Sequence, residues 1–273
     1  MSTVGISSQA PGAATPLDAF RAARPYSGSV AGLHAQAISA NMVAAARQHA
    51  CRSYRESYRT MHAKAKLVVP EVSIYDAWKG DDVTFRNISL DADYARDSAG
   101  RVLYFTLEEG RSYLKERGKS IPSLPLLANL YVTLSRLAAQ DELATQVFRQ
   151  LSRAWDRTST SLSLSGTIVH SDSILGELTY EGLAVPRTGD AIDKLFTQNR
   201  RFFQALLGMR DPERLAEAAS SAGLVPFYWY PRGERGAMFG GGDFYYMHQY
   251  IPGLLMIFCD DEPHPRRTLR GVW

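Results

Sequence analysis

Cysteine is scarce in this chain: Cys51 and Cys259 are the only two among 273 residues. They form no CxxC pair and no zinc-ligand spacing, which excludes a structural zinc module and a secreted disulfide scaffold. A chain of this length buries enough surface to fold without such staples. Long apolar runs are missing too. IPGLLMIFC, Ile251 to Cys259, falls far short of the ~20 residues a spanning helix needs. The N-terminus lacks the basic-then-apolar pattern of a secretory signal. A protein without a membrane span, in the cytoplasm, is the expectation.

The local signatures of several enzyme classes are also lacking. There is no GxxxxGK[ST] loop, no GxGxxG opening a helix after a strand, and no HExxH, GxSxG or zinc-deaminase pattern. The six histidines, His34, His49, His62, His170, His248 and His264, are scattered without metal-ligand spacing. No cofactor, metal or catalytic residue is therefore assigned. Two constellations remain for an enzyme or a secreted effector. In VHSDS, His170 and Asp172 alternate along a strand and share a face, as a proton-shuttling pair does; a polar strand end has the same pattern. In CDDEPH, Asp260, Asp261 and His264 follow an apolar run, where strand-end acids commonly hold a divalent metal; a solubilising turn has the same composition.

Charge is what the sequence does supply, unevenly. The net charge is only +3, but Arg47, Arg52, Arg55, Arg59, Lys64 and Lys66 face a single acid, Glu56, within twenty residues. The stretch from Leu33 to about Val68 is rich in Ala and long side chains, is free of Pro from Leu33 until Pro70, and reads as a helix. Cys51, Tyr54, Tyr58, Met61, Ala65 and Val68 make an apolar stripe; Arg52, Arg55, Arg59, His62 and Lys66 line the adjacent face. Cations at helical spacing match the repeated phosphates of a nucleic-acid backbone, whose neutralisation releases counterions without reading sequence. A membrane surface, an acidic partner or a solvated face are the other destinations for such a stripe.

The chain falls into three parts. Residues 1–32 form a small-residue arm that cannot offset its own ordering entropy and is either mobile or ordered against another subunit. Residues 33–259 form a single globular α+β domain, expected to be helix-dominant with short antiparallel hairpins; 260–273 form an exposed tail. Val83–Leu107 suggests a hairpin about RDSAG. Ser123 and Asp141 are candidate helix caps. Ser159–Val185 has the period of strands, Thr188 to Met209 that of a helix, and DPERLAEAASSAG is a capped helix closed by Gly223.

PFYWYPRGERGAMFGGGDFYYMHQY, Pro226 to Tyr250, holds nine of the chain's 29 aromatics. Arginines among aromatics make base-stacking surfaces, which marks Arg232 and Arg235 as further nucleic-acid contacts. GERG matches the GXXG string of a KH loop, but that loop joins two helices, whereas these flanks are strand-like. The stretch reads as a doubly buried hairpin, serving packing or assembly.

Ala, Ser and Pro together make up 70 of the 273 residues, most densely in the arm. In size, composition and mild basicity the chain resembles the proline-alanine-serine-rich proteins of fungal double-stranded RNA viruses. That resemblance is compositional and assigns no residue roles. It implies a coat or nucleocapsid protein that self-assembles around RNA, into filaments in some relatives, with arms crossing between subunits, in a virion. A plain protein-interaction module is the third possibility.

Overall fold

The computed structural model describes residues 66–229, 235–246, 249–259 and 268–273. The expected arm, the basic helix as far as residue 65, and residues 260–267 of the tail lie outside them. Helix accounts for 31% and strand for 34% of what is described, so the helix-dominant expectation is overturned. The strands form one seven-stranded sheet and one long two-stranded ribbon.

The ribbon corrects the helix boundary. Lys66 and Val68 do not end a helix; they open strand β1, Lys66–Asp76, which pairs antiparallel with β2, Asp81–Asp91. Valines at 68, 69 and 72 favour the extended chain over a helix. Buried positions switch from Leu67 and Val69 to Val72, Ile74 and Asp76 across Pro70. Pro70 has no N–H to give the ladder, and Asn87, which faces it in the register, has a φ of 54°. Both strands turn over at the same rung, so register holds while the faces exchange.

Helix α1, Leu107–Lys115, begins at a reciprocal cap between Thr106 and Glu109. Helices α2, Leu124–Leu137, and α3, Glu142–Leu151, start at the expected Ser123 and Asp141, whose side chains accept from the N–H of Leu126 and Ala144. α2 is apolar on nearly every side and is buried from Leu124 to Val132, as such a helix must be. It packs against β1, α3, and the later helices and strands named below.

The helix expected from Thr188 to Met209 is two: α4, Ile192–Phe196, and α5, Arg200–Leu207. The Asn199 amide reaches back to Leu195 O at 3.0 Å and ends α4; Thr188 caps neither. Gly208 then closes α5 at φ 58°. A Cβ there would lie 2.6 Å from Ile74 and 2.7 Å from Pro125. Its carbonyl accepts from Tyr75 N at 2.8 Å and Asn129 Nδ2 at 3.0 Å. One glycine thus joins β1, α2 and α5. Helix α6, Glu213–Ser221, follows, with Asp211 accepting from Glu213 N.

The large sheet contains β3 (Trp155–Leu162), β4 (Ile168–Asp172), β5 (Gly176–Tyr180), β6 (Asp190–Ala191), β7 (Val225–Trp229), β8 (Arg235–Tyr246) and β9 (Gln249–Cys259). Their order is β5-β4-β3-β8-β9-β7-β6, antiparallel throughout except for β7 beside β9. The aromatic stretch is therefore not one hairpin. β8 turns back onto β9, and β9 separates it from β7. Leu254, Leu255, Met256 and Ile257 are all buried, and a strand apolar on both faces belongs inside a sheet. Tyr228, Trp229 and Phe239 are buried as expected. Among the described residues no helix is long and apolar enough to cross a membrane.

Residues 268–273, expected in an exposed tail, are instead mostly buried. Arg270 and Asp156 have no exposed side-chain surface and meet at 3.4 Å. Arg270 also donates to Asp91 O at 2.6 Å and Gln150 Oε1 at 2.7 Å, and lies over the Tyr94 ring. Thr268 Oγ1 donates to Trp155 O at 2.6 Å. Burial pushes the Asp156 carboxyl up, against the pull of Arg270. Removing one member leaves the other charge buried and unmatched. Arg270→Ala is expected to lose about 3–5 kcal/mol of stability in urea unfolding. A loss below about 1 kcal/mol would show the lock to be dispensable.

Candidate functional site

His170 and Asp172 share the inward face of β4, as their spacing requires, but they do not act together. His170 Nε2 faces the carbonyl of Ala205 at 3.0 Å and must donate to it. Nδ1 is then the acceptor for Thr160 Oγ1 at 2.7 Å, and Thr160 Oγ1 in turn accepts from Leu124 N at 2.8 Å. Asp172 accepts from Ser123 N at 2.8 Å through one oxygen, and from Ile174 N and Leu175 N through the other. The two residues secure the start of α2 and the β4–β5 turn. Both imidazole nitrogens are occupied and the ring is fully buried, so neither nitrogen is free to take a substrate proton.

Asp260, Asp261 and His264 lie outside the described residues, as do Arg47, Arg52, Arg55, Arg59, His62 and Arg232. Arg235 opens β8 with its backbone paired to Leu162. Lys66 opens β1 opposite Asp91 and is exposed. Among the described residues no three His, Cys, Asp or Glu gather to hold a metal.

Lys66 leads to a groove of about 790 Å³ between the β1–β2 ribbon, the 93–100 turn, α1 and the C-terminal segment. Sequence reasoning finds the RDSAG turn but not the groove, because its walls come from segments far apart in the chain. Arg96 grips Asp93 through Nε at 2.6 Å and Nη2 at 3.1 Å, and donates to Gly100 O at 2.9 Å. Lys119 meets Asp91 at 2.5 Å and lies over the Trp273 ring at 4.2 Å. Asp97 takes the Arg101 N–H and guanidinium, which holds its carboxyl below the usual range. Three acids thus absorb much of the cationic charge in and beside the groove.

Arg117 differs. Its guanidinium stacks on the Tyr113 ring at 3.7 Å and donates to Tyr113 O at 2.8 Å. Its carboxylate neighbour, Glu116 at 3.6 Å, is exposed and screened by solvent. The i, i+4 spacing of Tyr113 and Arg117 is a second local sign of this site in the sequence, beside the RDSAG turn. Lys66 and Arg117 are therefore the groove cations best placed to meet an anion, with Tyr113 and Trp273 supplying aromatic surface beside them. Comparison of the chain with protein-family models, curated proteins and solved structures gives no match.

Burial lowers the His170 pKa to about 4 in the folded protein, against ~6.5 when unfolded. The unfolded chain binds the extra proton between those values, so stability is complete above ~6.5 and is lost as pH falls towards 4. The full effect is roughly 3 kcal/mol. Thermal unfolding followed between these pH values is expected to show a falling midpoint, with a shallower fall in His170→Gln. Equal slopes in the two proteins would place the titration elsewhere.

Proposed function

We propose that the chain is a non-enzymatic, self-associating protein that coats a nucleic-acid backbone, RNA by its compositional resemblance, without reading base sequence. Its location on this reading is the cytoplasm or a virion. The observation that carries the proposal is the position of Lys66. It is the last of the cations in the Arg47–Lys66 run and lines the groove that also holds Arg117, Lys119 and the rings of Tyr94, Tyr113 and Trp273. Cations beside aromatic surfaces are a combination suited to a single-stranded backbone. The occupied hydrogen bonds of His170 and Asp172 give no support to the enzyme alternative at that pair.

Binding of a labelled single-stranded RNA, followed by anisotropy, is expected to weaken steeply between about 50 and 200 mM salt. Lys66→Ala and Arg117→Ala are each expected to weaken it for every sequence alike and to lower the salt slope by about 1. Salt-independent binding, or slopes unchanged in both variants, would remove the proposal.

A further inference from the structure

We infer that two copies of the chain pair through the outer edge of β2, antiparallel and about a two-fold axis at Thr84. This rests on the self-association part of the function proposed above and is independent of nucleic acid. β2 is bonded to β1 along its inner edge. The far half of its outer edge is taken by the C-terminal segment. Ser89 and Trp273 exchange both backbone bonds, at 3.0 and 3.1 Å, and Asp91 N donates to Gly271 O at 3.0 Å. From Asp81 to Asn87 no strand lies beside that edge among the described residues, and all but Phe85 are exposed.

The hydrogen bonding of β1 settles which groups this edge presents. Tyr75 gives its N–H to Gly208 O, away from β2, so Tyr75 and its partner Asp82 form a non-bonded rung. Rungs alternate, so Thr84 opposite Ser73 and Arg86 opposite Glu71 are of the same kind. The hydroxyls of Ser73 and Thr84 lie 3.0 Å apart, in keeping with the closer side chains of such a rung. Asp82, Thr84 and Arg86 therefore direct both N–H and C=O outward, a template for another strand.

The sequence of this edge, DVTFR, is self-complementary when reversed. With the axis at Thr84, Asp82 faces Arg86 of the second copy, and Val83 faces its Phe85. Thr84 faces its own counterpart. Each outward rung carries opposite charges or two hydroxyls, and an apolar pair fills the rung between. Val83 is a large apolar side chain left 39% exposed. A shift of two residues in register loses both ion pairs. Within one copy Asp82 meets Arg210 at 3.5 Å and Arg86 meets Glu71 at 3.8 Å, with every side chain more than half exposed. Such contacts are weak and leave both side chains able to turn to a partner. The kink at Pro70 and Asn87 ends the open edge, and a contact this short is expected to bury less than the ~1,000 Å² of a lasting interface. The dimer forms at high protein concentration.

Sedimentation equilibrium of the nuclease-treated full chain tests this. The parent is expected to dimerise reversibly. Asp82→Arg and Arg86→Asp, each alone, place like charges on two rungs and are expected to weaken dimerisation roughly tenfold or more. An equimolar mixture of the two variants is expected to recover it, because their edges then carry opposite charges; misfolding would not be rescued by mixing. Variants as dimeric as the parent would overturn the β2 contact while leaving self-association standing. A parent monomeric at every concentration would overturn both, with RNA binding still decided by its own salt slope.

Discussion

A helix that is apolar on nearly every side has to be buried whole, and its first turn carries N–H groups with no partner in the helix. Helix α2 imposes this condition on the rest of the molecule. Asp172 takes the N–H of Ser123, Thr160 takes that of Leu124, and His170 completes the chain by accepting from Thr160 and donating to the end of α5. The polar residues that look most like a catalytic pair in the sequence are those acceptors and their supports. Burial that keeps α2 in place also keeps the imidazole neutral, so the demand for hydrogen-bond satisfaction decides both the architecture and the chemistry withheld from it.

Features set by neighbouring residues were legible in the sequence. Ser123, Asp141 and the closing Gly223 need only a few residues of context, and each stands as the pattern implies. Features set across the chain were not. The aromatic stretch holds all the signs of a hairpin, yet β9 comes between its two halves because a doubly apolar strand is worth more at the sheet centre than at its rim. Lys66 belongs to a helical period by spacing, while the valines beside it prefer an extended chain, and the ribbon it joins settles the matter. Tertiary pairing overrode local periodicity at both places.

The groove shows why charge counted along a sequence is a poor guide to charge available in space. Its cations are numerous, but Arg96 and Lys119 are tied to Asp93 and Asp91. What is left for a ligand is the less obvious pair: Lys66 at the strand end, and Arg117 flattened on its own tyrosine. Such a surface favours loose and reversible contact with an anion over a fixed bidentate grip.

The C-terminal segment has a bearing on time as well as structure. Arg270 and Gly271 reach residues 114 to 180 positions earlier in the chain. Contacts closing loops of that length reward the chain only after the closure entropy has been met, which favours their forming after local structure. Interactions absent from the transition state act mainly on the rate of escape from the native basin. The buried arginine is thus placed to act more on how fast the folded chain unfolds than on how fast it first takes shape.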